Sequence, residues 1–398
     1  MTNKKTVYFH IGYHKTGTSA IQSFCSANQS ELARKGFLYA ETGRAGAAHG
    51  PLANCLKASN KNLDPNLLYA SLKKEIANSN AQSVIISSEC FLEQIPLDRI
   101  EPYLKKLNAH IKIIVYVRRQ DEWAQSVYNE IIKDSSRRYT GSILHMREIR
   151  MGWLNYNNVI SQWENVFGSE NIIVRPYDKA QMRNGLYADF LSIFNIDNVC
   201  DFENPVTGKA TNQGLSEDVI LVLRALNEVP MIRDMHKEMV SYLIDISHNS
   251  EEKKLGRNYK ILTFSEKSEL ISSCKQSNDI LAEKFLNCNT SLFCTTLVEN
   301  KDDKSPVEML SIERQWQIYN QLPLHIKKHI ERFRPLFAQS EQSKPFVYDV
   351  NNNEIERLRL VIQRQRLELN WLYEDNTLGS IRKEGLGVLS KFFAKLFK

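Results

Sequence analysis

What most restricts the fold of this chain is a run near its N-terminus. Thr6 to Ile11 (TVYFHI) is β-rich, Gly12 to Ser19 (GYHKTGTS) is a loop of small residues, and from Ala20 the sequence AIQSFCSANQSELARKG has helical periodicity, with Gly36 as a stop signal. A strand that turns through glycines straight into a helix leaves first-turn N–H groups pointing outward, where the positive end of the helix dipole favours an anion. Strands connected through helices pair parallel, so the rest of the chain should supply more strands separated by helices.

It does. Ser83 to Ser87 (SVIIS) follows a helical stretch near 67–78, Ile111 to Val117 (IKIIVYV) follows one near 98–108, and Asn171 to Arg175 (NIIVR) follows one at 155–167. The expected fold is α/β: a P-loop-like three-layer arrangement, with a central parallel β-sheet flanked by helices and a helical C-terminal extension. The pattern is mostly helical from 180 to 288. Residues 289–350 form a poorly patterned connecting region, and 351–375 a short heptad-like helix with Ile355, Leu358, Ile362, Leu369 and Leu372 in the seam, interrupted by Gln365. That seam, 355–372, is the candidate for oligomerisation.

The formal net charge is +6, and residues 376–398 alone carry five Lys/Arg against one Glu. Most of the excess therefore belongs to the tail, which does not mark a nucleic-acid binder. In that tail Leu389, Phe392, Phe393, Leu396 and Phe397 share one helical face and Lys391, Lys395 and Lys398 the other. Two readings stay open: peripheral contact with a membrane through 388–398, or docking of the apolar face on the protein itself. Seven cysteines without a CxxC pair indicate reduced thiols and neither a zinc site nor a redox couple. With no apolar stretch of signal-peptide or membrane-span length, the expectation is a cytoplasmic protein.

The loop departs from a Walker loop in one decisive place. Gly12 and Gly17 have the Walker glycine spacing and Ser19 holds the Ser/Thr position, but Thr18 stands where the lysine belongs, and the lysine has moved to Lys15. No strand ends in an obvious magnesium-binding Asp. A nucleoside triphosphatase relies on that lysine and metal to neutralise charge on the transferred phosphoryl group, so an ATP-dependent P-loop kinase is the lesser alternative.

The run Lys15-Thr16-Gly17-Thr18-Ser19 resembles the 5′-phosphosulfate loop of sulfotransferases that use 3′-phosphoadenosine 5′-phosphosulfate (PAPS). The resemblance extends to a second motif: Arg118 directly after the strand ending at Val117, and Ser126 eight residues on within DEWAQS, the family's spacing for 3′-phosphate ligands. Segments 154–178, 189–196, 211–227 and 277–285 follow the bacterial sulfotransferase-like pattern in order, which gives a domain over 1–288. The resemblance implies PAPS as sulfuryl donor, no metal, and a hydroxyl acceptor of the carbohydrate or polysaccharide-precursor class. It also implies a nucleotide site of Gly12, His14, Lys15, Thr16, Gly17, Thr18, Ser19, Arg118 and Ser126, in which Lys15 stabilises the leaving oxygen. His14 replaces a frequent Pro and Arg119 a common Asn.

Sulfuryl transfer also needs a base for the acceptor proton. Glu89, just past SVIIS, is the first candidate, since family members use a His or Glu. His49 in GAAHGPL is the second, its flanking glycines suggesting an exposed, mobile backbone. His10 alternates along a strand and reads as a core residue. Lys133, Arg137 and Arg138 read as a solvated run, and Trp123, Tyr128, Trp153, Tyr156 and Trp163 mostly as core. A third reading, with no catalysis, makes the chain a scaffold in glycan assembly.

Overall fold

The computed structural model describes residues 4–60, 62–93, 95–149, 151–182, 184–205, 214–256, 259–286, 291–299, 310–334, 342 and 344–347. The heptad segment and the basic tail lie outside these residues. Two compact units partition the chain, and neither is a single continuous stretch: the first takes 1–127, 149–212 and 264–299, the second 128–148, 213–263 and the residues from 300 onward. The sequence-based domain over 1–288 therefore runs through both.

The first unit holds the sheet. Its elements are β1 (Thr6–His10), α1 (Thr18–Ala27), α2 (Gln29–Arg34), β2 (Phe37–Tyr39), α3 (Gly50–Asn54), α4 (Pro65–Asn78), β3 (Ser83–Ser87), α5 (Cys90–Glu93), α6 (Leu97–Lys106), β4 (His110–Val117) and the start of α7 (Gln120–Lys133). After α8 (Ile143–Ile149) come α9 (Met151–Leu154), α10 (Tyr156–Phe167), β5 (Ile172–Pro176) and α11 (Leu186–Ser192). The chain then leaves for the second unit through α12 (Glu217–Leu226), α13 (Arg233–His248) and α14 (Ser250–Gly256). It returns with α15 (Phe264–Ser273) and α16 (Lys275–Leu286), and α17 (Ile312–Asn320) and α18 (Leu324–Phe333) follow in the second unit.

All five strands pair in parallel, in the order β2-β3-β1-β4-β5. The fold is α/β, with a parallel central sheet flanked by helices. The strands are near-continuous apolar runs because both faces are covered: Ile85, Ile114 and Tyr116 pack with Ile21 and Phe24 of α1 and Phe190 of α11. The order fixes where a ligand can enter. The chain leaves central β1 toward the β2 side, then crosses back to β4 on the other side. Crevices at the carboxyl ends of strands open at such a switch point. Here it lies between β1 and β4, whose following residues are Gly12 to Ser19 and Arg118.

In the second unit α13, α14 and α17 pack against a buried α12. Arg314 of α17 donates through Nε and Nη2 to Asp218 Oδ2 at 2.9 and 2.7 Å and through Nη1 to Glu252 at 2.5 Å. The Arg137–Arg138 run is not wholly solvated, as the sequence suggested. Arg138 is buried, its Nη1 donating to the Val229 carbonyl at 3.0 Å. The Val229 carbonyl, three residues beyond α12, takes the place of water.

Candidate functional site

The loop after β1 is held by backbone bonds to β4. Ile11 and Tyr13 N–H groups donate to the Ile114 and Tyr116 carbonyls at 3.0 and 2.9 Å, and Tyr116 N–H returns to the Gly12 carbonyl at 2.8 Å. Gly17 caps α1 at φ 81°, and a Cβ there would lie 2.5 Å from Leu186 Cδ2 and 2.9 Å from Tyr177 Cε2. Both the left-handed backbone and the close approach require glycine at 17. Lys15 also has a positive φ, 63°, and is half-buried. Beyond Gly17 the α1 first-turn amides have no intrahelical carbonyls to meet.

The threonine hydroxyls of the expected nucleotide site point into the loop's own backbone. Thr16 and Thr18 are buried, and both Oγ1 groups donate to the Tyr13 carbonyl, Thr18 at 3.0 Å. Their hydroxyl protons brace the loop, leaving their backbone N–H groups for an anion. Ser19 is exposed on the first turn. His14 is packed edge-on against Trp123, ring centroids 5.4 Å apart, and its carbonyl accepts from the Trp123 indole at 3.2 Å.

Arg118 closes the other side of the crevice. Its Nη1 donates to the Lys15 carbonyl at 3.3 Å, and its guanidinium lies 5.5 Å from the ring centroid of Tyr177, which follows β5. Tyr177 thus touches both Gly17 and Arg118, an aromatic wall that the sequence reading did not single out. Arg118 is paired in this state with Glu122, Nε to Oε2 3.1 Å. Glu122 and Ser126, four residues apart, share one face of α7, with Ser126 half-buried, and Arg118 reaches Glu122 from two residues before the helix. Neighbouring Arg119 is engaged elsewhere, bidentate to Asp121 at 2.7 and 3.0 Å and donating to the Thr295 carbonyl at 2.7 Å.

Glu89 stands at the loop as well. A Cβ on Gly12 would lie 3.2 Å from Glu89 Cβ, and Gln22 of α1 donates through Nε2 to Glu89 Oε2 at 3.0 Å. Gln22 is a second residue missed in the sequence. The bond fixes the direction of the carboxylate.

His49 is not the exposed residue that the sequence suggested. It is fully buried; its Nε2 bonds to the Ala40 carbonyl at 2.8 Å, and its Nδ1 accepts from Ser87 N–H at 3.1 Å. Burial pushes its imidazole down to about 4. With both ring nitrogens engaged, His49 has no lone pair for an acceptor proton. His10 is the buried core residue expected, its Nδ1 sharing a 2.8 Å hydrogen bond with Ser87 Oγ and burial holding it down to about 3. Trp123, Tyr156 and Trp163 are buried in the first unit and Tyr128 in the second, while Trp153 is half-buried.

No family model matches the chain, and no solved structure matches it. An uncharacterized protein of Archaeoglobus fulgidus is 28% identical over 243 residues, covering 59% of this chain and 64% of that protein. The chain thus spans less than two thirds of the length of this relative. Among the described residues no helix is long and apolar enough to cross a membrane.

Proposed function

We propose that this protein is a PAPS-dependent sulfotransferase, transferring the sulfuryl group to an acceptor hydroxyl, with a carbohydrate or polysaccharide precursor as the acceptor and the cytoplasm as the compartment. The acceptor class follows from the family resemblance. One observation carries the nucleotide reading: Arg118 Nη1 reaches the Lys15 carbonyl at 3.3 Å across 103 residues of sequence. The loop suited to a 5′-phosphosulfate and the cation suited to a 3′-phosphate thereby border one crevice at the switch point.

The residues present fit a doubly anionic nucleotide. First-turn amides and Lys15 would hold one anionic group, and Arg118 with Ser126 the other. In the reaction the acceptor oxygen forms a bond to sulfur as the bond from sulfur to the bridging phosphate oxygen breaks. Glu89 takes the acceptor proton, while Lys15 and the amides balance charge on the departing oxygen. Gln22 keeps Glu89 oriented. Glu122 must give up Arg118 when the 3′-phosphate arrives, exchanging one carboxylate partner for a dianion.

Titration calorimetry with adenosine 3′,5′-bisphosphate tests the site. Binding is expected, weakened ~10-fold or more in Arg118→Ala, as loss of an ionic hydrogen bond implies. Absence of binding, or equal affinity in Arg118→Ala, overturns the proposal. Labelled PAPS incubated with a glycan extract of the producing cells tests transfer, with Lys15→Ala and Glu89→Ala as controls. Magnesium-dependent ATP turnover that survives Lys15→Ala would favour the kinase reading instead.

A further inference from the structure

We infer that His49 is a positioning residue for Glu89, fixing the carboxyl end of β3 by using its imidazole in place of a missing strand; this rests on the proposal that Glu89 accepts the acceptor's proton. The edge strand β2 is too short for its neighbour. Its last residue, Tyr39, pairs with Ile85, and Ala40 N–H reaches the Ile85 carbonyl at 3.3 Å. On that side no strand among the described residues pairs with Ile86 or Ser87, although Ser87 is completely buried.

His49 supplies the partner from a loop 38 residues away. Its backbone N–H donates to the Ser87 carbonyl at 2.9 Å, and its Nδ1 accepts the Ser87 N–H at 3.1 Å. An imidazole nitrogen thereby does what a strand carbonyl does elsewhere in the ladder. Because Nδ1 accepts, the neutral ring carries its proton on Nε2, which donates to the Ala40 carbonyl at 2.8 Å. The Tyr39 ring packs edge-on against the imidazole at 4.8 Å between centroids.

From the other side, Ser87 Oγ bonds His10 Nδ1 at 2.8 Å, and Ser88 N–H donates to the His10 carbonyl at 3.0 Å. Ser87 is therefore held on both flanks, two residues before Glu89. Beyond it the chain passes against Gly12, where Gln22 takes hold of the carboxylate. Without the His49 ring, a buried N–H loses its acceptor on the segment that carries Glu89. A displacement of about 1 Å at a reacting group lowers rates ~100-fold.

The test compares His49→Ala, His49→Asn and Glu89→Gln alone, and each His49 change combined with Glu89→Gln. Asn can present an oxygen near the Nδ1 position, and it keeps the chain foldable if the Ala variant does not fold. His49→Ala is expected to lower the transfer rate at saturating PAPS ~10-fold or more, while the PAPS KM and the affinity for adenosine 3′,5′-bisphosphate stay within about twofold. His49→Asn should recover most of the rate, and in the Glu89→Gln background His49→Ala should cost less than about twofold. Equal fractional losses in both backgrounds, or no recovery with Asn, overturn the inference. If the native protein transfers nothing, the functional proposal fails separately. The lock is then read by Ser87 amide exchange, which should speed up in His49→Ala and stay slow in His49→Asn, and by the nitrogen shifts of a neutral Nε2–H imidazole. A fast-exchanging Ser87 amide in the native chain refutes the lock itself.

Discussion

Arg118 in the sheet unit and Arg314 in the helical unit carry the same guanidinium and the same kind of partner, yet their surroundings give them opposite capacities. The Arg118 side chain is 25% exposed and its partner Glu122 36%, so the pair sits in a strongly screened setting. The Arg314 side chain is 5% exposed, and Asp218 is fully buried. Gly256 lies against that carboxylate so closely that a Cβ would come 2.5 Å from Asp218 Oδ2. A charge that keeps some water can exchange a carboxylate for a ligand at small cost. A charge sealed among two carboxylates is a fixed part of the helical unit, and removing one member strands the others in low dielectric.

The largest effect should come from breaking the buried pair. Arg314→Ala is expected to destabilise the helical unit by ~3–5 kcal/mol, because Asp218 is left charged and unpartnered; chemical denaturation measures it. A loss below about 1 kcal/mol would mean that Arg314 and Arg118 are alike after all. Next is Lys15→Ala, expected to lower sulfuryl transfer ~10²–10³-fold with little change in unfolding midpoint, the signature of charge stabilisation in the reaction alone.

Acid should affect both units. His10, His49 and His236 are neutral in the fold, held by burial down to about 3, 4 and 4. The unfolded chain protonates them below about pH 6.5, so unfolding takes up protons between that pH and about 4. Stability should rise with pH across this window, each histidine contributing at most ~1.4 kcal/mol per pH unit. Removing His49 should flatten the slope; an unchanged slope contradicts its neutral, buried state. The smallest effect belongs to Glu122→Gln, which frees Arg118 from its competing carboxylate. Affinity for adenosine 3′,5′-bisphosphate should tighten about two- to fivefold, in line with ~0.2–1 kcal/mol for an exposed pair, and weaken if Glu122 instead orients Arg118 productively.

The strands were readable because each is a short apolar run ended by a turn signal: SVIIS, IKIIVYV and NIIVR align with β3, β4 and β5 to within a residue or two. The loop was readable because glycine at 12 and 17 and lysine at 15 are local demands of backbone and charge. His49 was misread since its neighbours, glycines at 46 and 50, describe only the local chain. Its burial is decided by the β3 edge 38 residues on. Arg138 failed for the same reason, its acceptor lying 91 residues away. Glu122 left a usable signal, an acid four residues after Arg118 on a helix, whereas the approach of Gln22 to Glu89 and of Tyr177 to Gly17 depends on how α1 and β5 are set beside β1 and β4.

The interleaving of the two units bears on how the protein is made. α16 packs on β5 and α10 of the sheet unit, yet it is encoded beyond the 213–263 stretch of the other unit. A nascent chain that has emerged only to residue 263 carries all five strands, while the apolar surface of β5 and α10 still waits for its cover. At ~5–20 residues per second that surface stays open for a second or more on the ribosome. The sheet can form early, but its unit closes only after much of its companion has already been synthesised.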